Sequence, residues 1–212
     1  PELSAKMREA KDPLAMAMRL AIAGNIIDFG VNGNIMEDEA RLCVRNALNE
    51  AFDGDVEAFR RAANGAQNIL YLADNAGEIV FDRLLIERFP IYRVTVAVRG
   101  GPVLNDATMV DAQAAGLCDL VNVIDNGSNA PGTILSDCSE EFRQRFAEAD
   151  MVIAKGQGNF ETLSDESADI FFLFKVKCPV IADHVGLPVG THVLTRRTAA
   201  SPATGGENHA RI

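Results

Sequence analysis

The sequence predicts an α/β fold: a Rossmann-like, mostly parallel sheet flanked by helices, preceded by a helical N-terminal segment. Three observations lead there. The rhythm changes at Asn64-Gly65: before it, apolar residues recur at near-helical spacing; after it, short β-branched or aliphatic runs alternate with helical stretches, as in a parallel sheet. In "YLADNAGEIVFD" an apolar run stops on Asp74-Asn75 and resumes beyond Gly77-Glu78 as an amphipathic helix, a strand feeding a helix through a tight polar turn. Finally, 48% of the 212 residues are hydrophobic, enough for one α/β domain with a small helical appendage.

The elements follow in order. Residues 1–65 read as helical, through "PLAMAMRLAIAGNIIDFG" and through "EDEARLCVRNALNEAF" with Leu42, Val44 and Leu48 inward, and hold no convincing strand. The α/β core, 66–195, carries expected strands at 68–73, 93–98, 120–124, 151–154 and 170–176, with an edge strand near 192–195. Helices are expected at 78–89, 106–115 and 139–149, and a short one at 160–164. The tail, 196–212, has little to bury and is expected to be loosely held. The chain opens on Pro1 rather than Met, and a further N-terminal piece is expected to precede it.

A formal net charge of -10 argues against nucleic acid or an anionic membrane as partner, and leaves open a small ligand, with or without a bridging cation. Cys43, Cys118, Cys138 and Cys178 form no C-x-x-C pair and have no His at ligand spacing, so neither a zinc site nor a disulfide framework is indicated. No membrane-length apolar run or leader is present, and a cytoplasmic protein is expected. Oligomeric state leaves no mark on the sequence.

Parallel strands joined by right-handed crossovers bring their carboxyl ends to one edge. Four polar segments should therefore meet: Asp74-Asn75 with Glu78; Arg99-Gly-Gly-Pro with Asn105-Asp106; Asp125-Asn126-Gly127; and Lys155-Gly-Gln-Gly158-Asn159. Carboxylate and amide oxygens without Cys or His suit Mg²⁺ or Mn²⁺. Freed N–H groups of a Gly-x-Gly turn beside a lysine suit a phosphate oxygen. Blander readings stand beside these: Asp74, Asn75 and Asp106 as helix caps, Asp125 to Gly127 as a turn, Lys155 as a snorkelling surface residue. Asn25 and Asp28, which interrupt an apolar stretch, are either satisfied at a helix end or presented to the same edge. No G-x-G-x-x-G or Walker motif occurs, and His184, His192 and His209 lack nucleophile partners.

Six stretches, "AGNIIDFG", "LADNAGEIVFD", "GGPVLNDATMVDA", "VIDNG", "AKGQGNFETL" and "KCPVIADHVGLPVG", occur in an order that resembles the DUF89 family of metal-dependent damage-control phosphatases, over roughly residues 21 to 190. The pattern is most similar to the family's short prokaryotic branch. The resemblance implies hydrolysis of phosphate monoesters of small metabolites, damaged or surplus, with Mn²⁺, Co²⁺, Ni²⁺ or Mg²⁺. It implies Asp74, Asn75 and Asp106 as metal ligands and Lys155 as the phosphate lysine beside Gly158 and Asn159. Glu78 or Asp106 is the expected general base, and Asn25, Asp28 and Asn105 complete the substrate side. The resemblance also implies a Cys-containing N-terminal segment, expected upstream of Pro1. Two alternatives are an S-adenosylmethionine-dependent carboxyl methyltransferase and a non-catalytic phosphometabolite-binding module; Lys155-Gly-Gln-Gly-Asn159 suits phosphate and has no role with a sulfonium cofactor.

Overall fold

Helix α1 (Pro13–Ala23) begins where Asp12 accepts the N–H groups of Leu14 and Ala15, both at 3.1 Å, with Pro at the first helical position. Leu14, Ala17, Met18, Leu20, Ala21 and Ile22 are buried, so it is a core helix rather than an amphipathic cover. The computed structural model describes residues 10–24 and 49–198, with Arg45 and Ala47 between them.

Beyond α1 the order is β1 (Phe52–Gly54), α2 (Val56–Gly65), β2 (Ile69–Leu72), α3 (Ile79–Ile86), β3 (Val94–Val98), α4 (Met109–Ala114), β4 (Asn122–Asp125), α5 (Glu140–Glu148), β5 (Met151–Lys155), α6 (Gly156–Leu163), β6 (Ile170–Lys175), α7 (Pro179–Val185) and β7 (His192–Arg197). The seven strands form one sheet in the order β1-β7-β6-β5-β2-β3-β4. β6, β5, β2, β3 and β4 are mutually parallel; β7 runs antiparallel to β6, and β1 parallel to β7. From β2 the chain steps outward to β3 and β4, then returns to β5 and β6 on the other side. The strand order therefore reverses between β2 and β5, where open α/β sheets form a ligand crevice.

The side-chain alternation of the strands divides the interior in two. Ile69, Tyr71, Val94, Val96, Met151, Ile153 and Phe171 face one core with α1, Phe59 of α2 and Phe81 and Leu85 of α3. Leu70, Leu72, Val152, Ala154, Phe172 and Phe174 face the other with Phe142 and Phe146 of α5 and Phe160 of α6. With both faces covered, the central strands read as continuous apolar runs.

Several elements differ from the sequence expectation. The stretch expected to be all helical contains β1, whose Phe-Asp-Gly carries no strand signal and is recruited by pairing with β7. The expected edge strand at 192–195 is interior, because β1 covers it, and it runs against β6. Helix α4 starts at Met109, not 106: Thr108 and Asp111 form a capping box that fixes its origin two residues beyond Asp106. α6 starts at Gly156 with no intervening loop, because Gly156 takes the left-handed φ of +80° that turns β5 straight into a helix. α7 was not anticipated. Among the described residues no helix is long and apolar enough to cross a membrane.

Candidate active site

The turn after β2 and the loop after β3 are joined by backbone. Asn75 and Asp106 form an antiparallel bridge, Ala107 N donates to Asp74 O at 2.7 Å, and Ala76 N donates to Asn105 O at 2.9 Å. Two segments some thirty residues apart thus bring together the three residues grouped as ligands from the sequence. None of the three is a cap: α3 takes Glu78 as its N-cap position and α4 takes Thr108. Asn105 itself is exposed and contributes its carbonyl.

The Asp74 carboxylate lies over Gly156 so closely that any Cβ there would overlap it, which makes glycine obligatory at the β5–α6 junction. The carboxylate thereby faces the first turn of α6, whose N–H groups lack helical partners. Burial, followed by the charges of Glu78 and Asp106, pushes the Asp74 carboxyl well above the usual carboxylate range; Lys155 and Lys177 pull the other way. Lys177 is exposed, just past β6, and its backbone N–H donates to Gln157 Oε1 of α6 at 3.1 Å.

Lys155 sits where the sequence reading did not expect it. Its ammonium is fully buried and donates to Ala21 O at 2.7 Å, Glu78 Oε2 at 2.8 Å and Asp82 Oδ1 at 2.8 Å, so all three of its hydrogens are committed within the protein. Neither the surface reading nor a lysine pointed at an incoming phosphate describes it. Burial favours the neutral amine, but Asp82 and Glu78 outweigh it and raise Lys155 above its ordinary value, so it stays charged. Glu78 receives Asn75 N at 3.1 Å and Asn75 Nδ2 at 3.0 Å on its other oxygen. Burial lifts Asp82 to about 6 against the attraction of Lys155, and Tyr71 donates its hydroxyl to Asp82 Oδ1 at 2.7 Å.

A second network holds Asp106. Arg99 Nε donates to Asp106 Oδ2 at 2.7 Å, Nη1 to Thr133 Oγ1 at 3.1 Å and Nη2 to Asn159 Oδ1 at 3.3 Å. Thr133 also donates to Asn159 Oδ1 at 2.7 Å, and Asn159 Nδ2 donates to Lys155 O at 2.7 Å and Ala73 O at 3.4 Å. Gly158 and Asn159, expected in a phosphate loop, are therefore inside α6. The Asn159 amide ties the ends of β2 and β5 together rather than facing a ligand. Asp125 to Gly127 is a turn: Gly127 has φ +75° and donates to Asp125 Oδ1 at 2.9 Å. Asn126 Oδ1 accepts from Gly100 N and Ser128 N, both at 3.0 Å, stitching this turn to the β3 loop. Asn25 and Asp28 lie outside the described residues. The preceding Gly24 packs on α3, where a Cβ would come within 2.7 Å of Phe81 and 3.0 Å of Glu78.

Asp82, Thr133 and Lys177 have no place in the sequence reading, and Arg99 enters it only as the first residue of a strand-end segment, with no role of its own. Asp82 had a signal: one turn after Glu78, it puts a second carboxylate on the apolar face of α3. Arg99 ends the apolar strand VTVAV and belongs to the strand-end pattern; Lys177 follows a strand whose end was not weighed. Thr133 had none.

The donor set bears on whether a divalent cation belongs here. Asp74, Asn75 and Asp106 offer hard oxygens, and a cation would offset both the burial and the neighbouring charges that raise Asp74. Among the described residues no three His, Cys, Asp or Glu side chains are grouped as a ready cage. An ion of the Mg²⁺ type retains several waters and needs few protein ligands, so two carboxylates and an amide oxygen fit it.

A reversal of strand order edged with buried carboxylates and held by buried cations defines an α/β protein with a polar crevice at its switch point. The chain belongs to the damage-control phosphatase ARMT1-like domain family, whose model matches residues 1–193. It is 42% identical over 195 residues to damage-control phosphatase PH1575 of Pyrococcus horikoshii, covering 89% of this chain and 67% of that one. A damage-control phosphatase of Archaeoglobus fulgidus is 37% identical over 188 residues (86% and 65%), and the uncharacterized protein MJ0202 of Methanocaldococcus jannaschii is 39% identical over 197 (83% and 60%). The chain thus spans about two thirds or less of the length of these relatives. The crystal structure of the DUF89 family protein PH1575 matches with a TM-score of 0.79 at 39% identity, over 92% of this chain and 71% of that one.

Proposed function

We propose that this chain carries the catalytic core of a metal-dependent phosphatase that hydrolyses phosphate monoesters of small metabolites. The observation that carries the reading is the buried cluster of Asp74, Glu78 and Asp106 at the switch point, where burial first and then the charges of Glu78 and Asp106 lift Asp74 well above the carboxylate range. The names of the Pyrococcus and Archaeoglobus relatives support the reaction class.

Asp74, Asn75 and Asp106 hold the cation. When bound, it supplies Lewis-acid stabilisation of the charge that develops on the phosphoryl oxygens. Glu78, engaged on both oxygens by Lys155 and Asn75, fixes the Asn75 amide instead of acting as a free base. Lys155 acts from beneath, holding Glu78 and neutralising part of the anionic cluster. Lys177, exposed and within electrostatic reach of Asp74, is the cation available to a phosphate dianion. The acidic cluster alone would repel such a substrate, so both the divalent ion and Lys177 are required to reverse the local field.

The test is release of p-nitrophenol from p-nitrophenyl phosphate, and of inorganic phosphate from a panel of sugar phosphates, with Mn²⁺, Co²⁺, Ni²⁺ or Mg²⁺ and after EDTA. Turnover that needs a cation and disappears on chelation is expected. Turnover indifferent to EDTA removes the metal from the reading; no turnover with any cation leaves a non-catalytic binding module.

A further inference from the structure

We infer that Arg99 is a positioning residue: its guanidinium presents the Asp106 carboxylate to the cation by locking it to two other segments of the rim. The inference rests on the proposal that Asp106 is a cation ligand. Asp106 lies in a loop that is weakly anchored by its own side chains; neighbouring Leu104 is 87% exposed and sits at a left-handed φ of +48°. Among the described residues, Arg99 makes the only hydrogen bond to the Asp106 carboxylate, on Oδ2. The other carboxylate oxygen is left for a ligand.

The fork is what fixes the direction. Arg99 is 4% exposed and uses Nε, Nη1 and Nη2 on three acceptors from different segments: Asp106 after β3, Thr133 after β4, and Asn159 in α6. Asn159 in turn grips the carbonyls of Ala73 and Lys155, at the ends of the two strands flanking the switch point. Asp106 is therefore indexed to the same two strand ends that position Asp74. A planar guanidinium satisfies three acceptors at fixed angles; a lysine ammonium, a point charge on a flexible stem, preserves the charge but not the angles. Groups that orient a metal ligand change affinity for the ion by about 10- to 100-fold when lost.

The alternative is that Arg99 is a competitor, neutralising Asp106 until a cation displaces it. The two predict opposite signs. Titration calorimetry with Mn²⁺, together with the Mn²⁺-induced rise in Tm, should be measured on the wild-type chain, Arg99→Lys and Thr133→Val. Positioning predicts Mn²⁺ binding weakened about 10- to 100-fold in Arg99→Lys and by a smaller factor in Thr133→Val, with KM for p-nitrophenyl phosphate unchanged at saturating Mn²⁺. Thr133→Val alters no charge, so it carries the test should Arg99→Lys fail to fold. Wild-type or tighter Mn²⁺ binding in the folded variants overturns the inference and leaves the proposed function standing. A wild-type chain that binds none of Mn²⁺, Co²⁺, Ni²⁺ or Mg²⁺ overturns both.

Discussion

Two charged corners share one edge of the sheet, and they are built differently. At the β2–β5 switch point, among the described residues, the carboxylates of Asp74, Glu78, Asp82 and Asp106 meet the buried cations Lys155 and Arg99, with the exposed Lys177 within electrostatic reach of Asp74. At the β6–β7 corner, Glu50 meets Lys175 at 2.8 Å and contacts His192, whose imidazole burial holds neutral by lowering its pKa to about 4. The second corner is balanced; at the first, buried carboxyl groups outnumber buried cations among the described residues. An unmatched buried charge is costly, so folds retain structural ion pairs in matched sets. A surplus that persists beside a crevice is the physical content of the cation reading.

The sharpest way to break the comparison is Asp74→Asn set against Glu50→Gln. The first should lower turnover roughly 10³-fold, several kcal/mol of transition-state stabilisation. It should leave Tm unchanged or raised, because an amide relieves the repulsion. The second should leave turnover intact and cost about 1 kcal/mol, since Glu50 is partly exposed. Parallel assays of kcat and thermal unfolding decide it: a loss of stability on Asp74→Asn matching that on Glu50→Gln makes both corners structural.

Lys155→Met comes next in size. Removing this buried ammonium strands Glu78 and Asp82 and releases the last turn of α1, and such losses cost about 3–5 kcal/mol. Urea denaturation should register this, and adding Asp82→Asn should recover part of it. Unchanged stability combined with slowed turnover would return Lys155 to the substrate-facing role that the sequence implied.

That difference shows where sequence reading runs out. The alternation of strands and helices, and the polar stop after each apolar run, are local patterns, which is why the β2, β3, β5 and β6 strands and the meeting of Asp74 with Asp106 were legible. The direction of the Lys155 side chain is not local: its acceptors are 134, 77 and 73 residues away. β1, three residues including Asp and Gly, exists only because β7 offers it a partner. Gly156 to Asn159 looks like a loop until the positive φ of Gly156 turns the strand into a helix, which moves Asn159 from rim to scaffold.

The smallest expected effect separates the corners by the sign of their pH dependence. His192 titrates near 6.5 unfolded and near 4 folded, so between those values the unfolded chain binds more protons and stability rises with pH. Asp82 runs the other way: near 3.8 unfolded and about 6 folded, it makes the folded chain the better proton binder, and its contribution is lost as pH rises through that window. Asp74, also raised, adds to the Asp82 side. Each group contributes at most about 1.4 kcal/mol per pH unit, so between pH 4 and 6 two descending slopes stand against one ascending slope and the wild-type chain loses stability as pH rises. Denaturant midpoints across that range should therefore fall with pH more steeply in His192→Gln than in the wild-type chain, and less steeply in Asp82→Asn. The same slope in both variants would mean that one corner governs the acid response and that the electrostatic contrast between them is absent.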